Sequence, residues 1–247
     1  MTKVIICGAF GRMGTTIAQM VMENPELEFA GGVDIREGEL HGKPVVTSEK
    51  LASFIDEAKP DVMIDFTVAA ATMVNAKIAA AKGVALVIGT TGFTPEQDAE
   101  LLDAIKNVPV VKTTNFSVGV NIFWELVREA AKRLGDYDIE VIEAHHRHKK
   151  DAPSGTAITL AEGILANVER KQSWVNEPTT DAEAIEITSL REGTVPGTHT
   201  VTYTSEDDKI EIKHTLFSRR ALALGAVVAA EFIAPRKGVF TIDDLFE

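Results

Sequence analysis

The sequence predicts an α/β protein in two parts: a parallel sheet covered by helices, and an α+β unit with a mixed sheet. Two observations support this fold class. Up to residue 112, short apolar runs rich in β-branched residues alternate with helical segments, a pattern typical of a parallel sheet with helices on both faces. Beyond residue 184, strand-like stretches follow one another with no helix between them, which is typical of an antiparallel or mixed sheet.

The first part contains five predicted strands, each a short apolar run followed by a glycine, an acid or a threonine. They lie at 3–7, 28–33, 61–66, 84–88 and 108–112. Helices are predicted at 11–23, after the third strand up to 81, and from Thr94 onward. This last helix should begin with a capping box, because Thr94 suits the cap, Pro95 the first helical position and Gln97 the third.

The second part is predicted to contain two helices and four strands. They are a helix at 121–134, a strand at 138–146, a helix after Gly155, and strands at 184–190, 199–204 and 209–214. The last two strands flank SEDD at 205–208, which indicates a hairpin. The final helix at 218–234 and the tail at 238–246 should return to the first part, since a five-stranded sheet leaves a flank to cover. We therefore predict a first domain of residues 1–116 and 218–247, and a second of residues 117–217.

Composition restricts the function classes. Of the 247 residues, 45% are apolar, enough for a folded core, and the net charge of −12 argues against broad electrostatic binding to nucleic acid. The apolar run at 4–7 is too short for a signal peptide or a membrane span, so we expect a cytoplasmic protein with no membrane partner. The single cysteine, Cys7, excludes an intrachain disulfide and should be a small buried residue.

The turn after the first strand reads GAFGRMG at 8–14, a G-x-x-G-x-x-G pattern. Glycines let the backbone turn tightly and approach a pyrophosphate, whose charge free N–H groups at the helix start can bind. Asp34, at the end of the second strand, can accept hydrogen bonds from an adenosine ribose. We predict a Rossmann-like dinucleotide-binding domain, the alternative being a merely structural turn. Asp34 favours NADH, whereas Arg12 and Arg36 leave NADPH open.

Two further segments, GTTG at 89–92 and TTNF at 113–116, follow predicted strands. They should lie at the carboxyl edge of the sheet, where ligands of such folds bind. Their small and hydroxyl side chains suit a nicotinamide ring and its ribose, although ordinary turn chemistry is the alternative.

The segment HHRHKK at 145–150 holds three of the six histidines of an acidic chain. A solvated charged face is the default interpretation. A metal site is disfavoured, because adjacent histidines on a strand point to opposite faces and lysines repel a cation; we predict no metal. An anion site is supported by the following DAPSGT, which should present the backbone N–H groups of Ser154, Gly155 and Thr156 at a helix start.

A nucleotide site beside a carboxylate or phosphate site suggests a reduction. Hydride addition to a C=N or C=C bond leaves negative charge that a proton donor must neutralise, and histidine and lysine are suitable donors near neutral pH. The product would be a reduced, carboxylated small molecule.

The segments GAFGRMG, GTTGF, NFSVGVN, EAHHRHKKDAPSGTA and HTLFSRRALALGA occur in that order over nearly the whole chain. Together they resemble the 4-hydroxy-tetrahydrodipicolinate reductase (dihydrodipicolinate reductase) family, which acts in the diaminopimelate route to lysine. The resemblance implies an NADH- or NADPH-dependent reductase of a cyclic dicarboxylate, usually a homotetramer assembled through the sheet of its second domain.

The resemblance also implies residue roles. His145 and Lys149 would be the proton-donating catalytic pair, and the substrate carboxylates would be bound by His146, Ser154, Gly155 and Thr156. The implied nucleotide-binding residues are Gly8, Ala9, Phe10, Gly11, Arg12, Met13, Asp34, Gly89, Thr90, Thr91, Thr113, Thr114, Asn115 and Phe116. Family members that handle NADPH well often have arginine directly after the acid, whereas this chain has Ile35 there and Arg36 next. The segment REGTVPGTH at 191–199 fits the family loosely and receives no catalytic role; His199 and His214 are expected to be cross-strand structural residues.

Three alternatives differ from this interpretation. A reductase of an amino-acid semialdehyde would normally need a nucleophilic cysteine beyond the first domain, and the only cysteine is Cys7. A sensor that binds a dinucleotide or an anion without turnover would not need a proton donor. A nucleic-acid binder is motivated only by HHRHKK, which lacks interleaved aromatic residues.

Overall fold

The structure is a computed structural model that describes residues 1–245, and its contacts group into two units. One unit combines Met1–Ser117 with the segment from Arg220 onward, and the other is Val118–Arg219. The predicted tail at 238–246 therefore has its last residue outside the described part. No helix in residues 1–245 is long and apolar enough to cross a membrane.

Residues 1–245 contain thirteen strands, in chain order β1 (Thr2–Cys7), β2 (Leu27–Val33), β3 (Gly38–Leu40), β4 (Lys43–Val46), β5 (Val62–Asp65), β6 (Ala85–Ile88), β7 (Val110–Lys112), β8 (Asp138–His145), β9 (Ser173–Val175), β10 (Ala184–Arg191), β11 (Gly197–Thr204), β12 (Lys209–Leu216) and β13 (Val239–Phe240). The α-helices in this described part of the chain are α1 (Arg12–Glu23), α2 (Leu51–Ala58), α3 (Ala69–Ala81), α4 (Pro95–Ile105), α5 (Val118–Arg133), α6 (Gly155–Leu165) and α7 (Arg220–Ile233). The predicted α/β fold class is confirmed.

The first unit is built on an eight-stranded sheet in the order β13-β7-β6-β5-β1-β2-β4-β3. All pairings in it are parallel except β3 with β4. From the central strand β1 the chain builds outward through β2 on one side and then through β5 on the other. The carboxyl end of β1 is thus a topological switch point, the place where open α/β sheets bind ligands.

The prediction of five strands for this sheet was incomplete. It missed β3, β4 and β13, which extend the two edges, and it also missed α2. The hairpin of β3 and β4 has three and four residues and contains Pro44, so no apolar alternation marks it. Helix α2 has no side-chain cap at its start, so the usual sequence signal of a helix beginning is absent.

Both faces of the first sheet are covered. Val4 and Ile6 of β1 pack in a cluster with residues of α1 and α7, whereas Ile5 and Cys7 pack in a second cluster with residues of α2, α3 and α4. Cys7 is fully buried, as predicted. Helix α4 begins with the predicted capping box: the Thr94 hydroxyl accepts from the Gln97 N–H at 3.2 Å, and the Gln97 side chain accepts from the Thr94 N–H at 3.0 Å.

The second unit has a five-stranded mixed sheet in the order β12-β11-β8-β10-β9. Strand β11 is antiparallel to β8 and β12, and β10 is parallel to β8 and β9. The hairpin predicted around residues 205–208 is confirmed by the β11–β12 pair. Residues of α5 and α6 form one apolar cluster with Val141, Ile187 and Val201 of the sheet. Helix α5 starts at Val118 rather than at Asn121, because burial of Val120 outweighs the poor helix propensity of the glycine before it.

Candidate functional site

The glycine turn after β1 has the geometry that a nucleotide-binding turn requires. Gly8 has a φ of +79°, and a Cβ there would lie 2.9 Å from the Phe66 carbonyl oxygen. A Cβ on Gly14 would lie only 2.0 Å from the Gly8 carbonyl oxygen. The first glycine therefore makes the turn, and the last lets α1 approach the end of β1 closely.

Asp34 follows β2 and supports this turn. Its Oδ2 accepts a hydrogen bond from the Phe10 N–H at 2.8 Å, and its Oδ1 accepts one from the Ile35 N–H at 2.8 Å. The Arg36 guanidinium lies 5.0 Å from the centroid of the Phe10 ring, whereas the Ile35 side chain is 96% exposed. Of the two residues after the acid, it is Arg36 that contacts the turn.

A cavity of about 850 Å³ lies at the switch point, within the first unit. Four predicted nucleotide-binding residues line it: Gly8, Phe10, Gly11 and Asp34. Its volume falls within the usual range for small-molecule and cofactor sites. The sequence analysis missed the segments 47–49 and 66–68, which also line it. Segment 66–68 could have been recognised as part of the site from its position at the end of a predicted strand.

The other predicted nucleotide-binding residues lie at neighbouring strand ends or at the start of α1, but not in the wall of this cavity. Ala9, Thr90 and Phe116 are buried, with 0%, 4% and 1% of their surface exposed. Arg12, Thr91 and Thr114 are exposed, and Met13, Gly89, Thr113 and Asn115 are partly exposed. The structure therefore brings four of the fourteen into the cavity wall and places the rest around it.

Thr90 takes part in a polar network that sequence reasoning did not anticipate. Its hydroxyl lies 3.0 Å from Asp65 Oδ1, and the hydroxyls of Thr67 and Thr72 also donate to that oxygen, at 2.6 and 3.0 Å. Burial raises the pKa of Asp65 despite these hydrogen bonds. The network joins the carboxyl ends of β5 and β6 beside the cavity.

In the second unit, β8 ends in a buried acid and a buried histidine on the same face of the sheet. Glu143 and His145 are two residues apart, so their side chains point the same way. Glu143 Oε2 is hydrogen bonded to His145 Nδ1. Its Oε1 accepts from Arg191 Nη2 at 2.8 Å and from the Ser154 N–H at 3.3 Å. Burial acts to raise the pKa of Glu143, but hydrogen bonds, chiefly from His145 and Arg191, outweigh it and lower the pKa to about 2.

His199 lies beside this pair. The strand register places it opposite Glu143 of β8 on one side and opposite His214 of β12 on the other. The expected cross-strand pairing with His214 is therefore present, but His199 also reaches the site. Its Nε2 lies 3.0 Å from Ser154 Oγ, and its ring centroid lies 5.2 Å from that of His145. Burial, with the nearby charge of His145, lowers the pKa of His199 to about 3.

The segment 145–150 divides between the interior and the surface. His145 is 8% exposed, whereas Arg147, His148 and Lys150 are exposed. Lys149 Nζ donates to the Asp151 carboxylate at 2.8 and 2.9 Å. The solvated-face interpretation therefore describes part of the segment, and His145 is its exception.

The start of α6 differs in one respect from the expectation. Ser154 is the helix cap, and its hydroxyl accepts from the Ala157 N–H at 3.3 Å. Its own N–H donates to Glu143 and is not available to an external anion, so that part of the expectation was wrong. A Cβ on Gly155 would have no heavy atom within 4 Å, so the approach to the first turn of α6 is open there.

Sequence reasoning missed Glu143, His199 and Arg191. Glu143 could have been found from the alternation of side-chain directions along β8, which places it on the same face as His145. A metal-like grouping exists among the described residues, because ligand atoms of Glu143, His145 and His199 lie within 4.8 Å of one another. It is not the set of histidines weighed from the sequence, and the Arg191 guanidinium on Glu143 opposes a cation there.

Comparison with known proteins places the whole chain in one family. Family models described as dihydrodipicolinate reductase, N-terminus and C-terminus, match residues 2–116 and 119–246. The chain is 67% identical to a 4-hydroxy-tetrahydrodipicolinate reductase of Methanocorpusculum labreanum, over 99% of each chain, and 50% identical to one of Methanoculleus marisnigri, over 96% and 95%. A dipicolinate-bound dihydrodipicolinate reductase from Paenisporosarcina sp. TG-14 has the same fold, with a TM-score of 0.81 and 26% identity, covering 98% of this chain and 97% of that one. The chain therefore belongs to the dihydrodipicolinate reductase family.

Proposed function

We propose that this chain reduces 4-hydroxy-tetrahydrodipicolinate, or its dehydrated form, to tetrahydrodipicolinate in the diaminopimelate route to lysine. The reductant is NADH or NADPH, as in its family. Family membership over the whole chain is the observation that carries this proposal. We assign nucleotide binding to the domain of residues 1–116 and 218–247, and substrate binding to residues 117–217.

The residues of the glycine turn fit a nicotinamide dinucleotide. Gly8 and Gly11 line the cavity beside the start of α1, where a pyrophosphate would be bound, and Asp34 lines it where a ribose would be bound. Ala9, Arg12 and Met13 belong to the same turn, and the strand-end residues Gly89–Thr91 and Thr113–Phe116 are proposed to flank the nicotinamide half. When bound, the nicotinamide supplies the hydride.

His145 and Lys149 are proposed to supply the proton that follows the hydride. His145 is buried and held by Glu143, which suits a positioned acid. Lys149 is paired with Asp151 and its side chain is 21% exposed, so its ammonium group remains near the surface.

We propose that His146, Ser154, Gly155 and Thr156 bind the substrate carboxylates. The start of α6 carries partial positive charge, and the open approach at Gly155 supports this role. Ser154 would contribute through its hydroxyl, because its N–H is engaged with Glu143.

The test follows loss of NADH and NADPH absorbance with freshly generated 4-hydroxy-tetrahydrodipicolinate. The double variant His145→Gln with Lys149→Ala should lose about two to four decades of turnover, the usual contribution of general acid catalysis. Calorimetric titration should show unchanged nucleotide affinity. The matched control is His41→Gln with Lys237→Ala, two exposed residues of the first unit to which no role at either site is assigned. Unchanged turnover in the first double variant would overturn the role assignment, and no consumption of either nucleotide by the folded wild type would overturn the proposed function.

The same assay separates the alternatives. A sensor without turnover would consume neither nucleotide. A semialdehyde reductase with a cysteine nucleophile is opposed by Cys7, which is fully buried and whose pKa burial raises well above its usual value.

We also propose that the chain works in the cytoplasm as a homotetramer assembled through the sheet of the second unit. Helices α5 and α6 pack on one face of that sheet. Side chains on the opposite face of the sheet, such as that of Leu190, which is 38% exposed, point away from these helices. Light scattering coupled to size exclusion should give four times the chain mass; a monomeric mass at micromolar concentration would contradict the assembly.

A further inference from the structure

We propose that Glu143 is a positioning residue, which fixes the tautomer of His145 so that the proton transferred to the substrate leaves from Nε2. This inference rests on the proposed role of His145 as the proton donor. Glu143 is a buried acid for which the proposed reaction has no direct use. Its other main partner, Arg191, lies 48 positions away in the sequence.

The carboxylate of Glu143 is fully buried, and both of its oxygens have donors. Oε1 accepts from Arg191 Nη2 and from the Ser154 N–H, and Oε2 faces His145 Nδ1. With its pKa lowered to about 2, Glu143 is ionised near neutral pH. An ionised carboxylate can only accept hydrogen bonds.

His145 Nδ1 must therefore carry a hydrogen in both the neutral and the charged ring. Nδ1 cannot be the nitrogen that gains and loses the catalytic proton, so Nε2 has that role. Two histidine forms remain: a neutral ring with Nδ1–H, and an imidazolium whose second proton is on Nε2. In both forms the carboxylate accepts the hydrogen of Nδ1 and holds the ring in place.

The surroundings of Nε2 agree with this assignment. A Cβ on Gly197 would lie 3.1 Å from His145 Nε2 and 3.5 Å from Cδ2. The glycine at the start of β11 therefore leaves space beside the nitrogen that must exchange the proton. Gly197 does not have a positive φ, so a conformational requirement does not account for glycine at this position.

Glu143→Gln should reverse the tautomer. The amide oxygen would accept from Arg191 and Ser154, which leaves the amide NH2 facing His145 Nδ1. Two donors cannot face each other, so Nδ1 must lose its hydrogen and the neutral ring must carry Nε2–H. The imidazolium is then disfavoured, and kcat should fall by about 10²- to 10⁴-fold while nucleotide affinity is retained.

The experiment is long-range ¹H–¹⁵N NMR of histidine-labelled full-length protein, with His145 assigned by its loss in His145→Gln. The wild type should show Nδ1–H in the neutral ring, and Glu143→Gln should show Nε2–H. The control is Glu125→Gln, an exposed acid on α5, which should change neither spectrum nor turnover. An Nε2–H neutral tautomer in the wild type, or full turnover in Glu143→Gln, would overturn the inference.

A second variant keeps the inference testable where Glu143→Gln does not fold. Gly197→Ala adds one methyl group beside Nε2 and should lower kcat at least tenfold while the Nδ1–H signature remains. Wild-type turnover in Gly197→Ala would contradict proton transfer from Nε2. The spectra need no substrate, so the tautomer is decided even where the wild type consumes neither nucleotide; that outcome would refute the proposed function alone.

Discussion

The close approach of α1 to β1 makes Gly14→Ala a sharp test of the nucleotide-binding turn. The added Cβ would lie 2.0 Å from the Gly8 carbonyl oxygen, whereas ordinary contacts begin near 3.4 Å. The start of α1 must therefore move away by at least about 1 Å. Forcing an extra carbon into a packed interior costs about 1–3 kcal/mol, and for a chain of this size each kcal/mol lowers Tm by about 2–4 °C.

We expect Gly14→Ala to lower Tm by roughly 2–12 °C, and to weaken NADH binding at least tenfold because Gly8 and Gly11 move with the turn. Calorimetric melting and titration with NADH measure the two effects. Gly135→Ala is the matched control, since the nearest atom to its added Cβ is 3.9 Å away. A Tm within about 2 °C of wild type together with unchanged NADH affinity would refute the packing argument.

Three further predictions concern other parts of the molecule. Arg36→Ala should weaken NADPH binding by about 5- to 30-fold and NADH binding much less, because an exposed guanidinium would bind only the 2′-phosphate. Calorimetric titration measures both affinities, with Arg133→Ala as the remote control. Equal losses for the two nucleotides would contradict the prediction. Thr94→Ala should cost about 1 kcal/mol in urea unfolding by removing the capping box with Gln97, and an unchanged midpoint would contradict it. The folded pKa of His199 is depressed from 6.5 to about 3. Its contribution to the free energy of unfolding is therefore complete above pH 6.5 and is lost as pH falls toward 3, at a slope of at most about 1.4 kcal/mol per pH unit. His199→Gln should remove this component from the pH dependence of unfolding, and an unaltered profile would contradict the depressed pKa.

The sequence predicted those features whose cause is local. The glycine turn at 8–14, the capping box at Thr94 and the hairpin at 205–208 each depend on a few consecutive residues, so their chemistry can be read from the chain. The buried Cys7 follows from the same kind of evidence, an apolar run of β-branched neighbours. The resemblance of the motifs to a reductase family was confirmed by the family comparison.

The missed features depend on which strands become neighbours. Glu143 meets Arg191 because β10 pairs with β8, and it meets His199 because β11 pairs with β8 on the other side. Alternation along β8 puts Glu143 and His145 on one face, but strand order is set by tertiary packing. The Asp65 network likewise joins threonines from two strand ends and from α3, which only the parallel order of β5 and β6 brings together.

The first unit is formed by two segments that lie far apart in the sequence, so its folding during biosynthesis depends on the later one. Helix α7 packs on α1, and β13 pairs with β7, so residues 220–240 complete a unit that residues 2–23 begin. The intervening unit, residues 118–219, is continuous in sequence. During synthesis on the ribosome it can finish folding while the nucleotide-binding unit still lacks its last helix, and a chain truncated before residue 220 would expose the apolar sheet face that α7 normally covers.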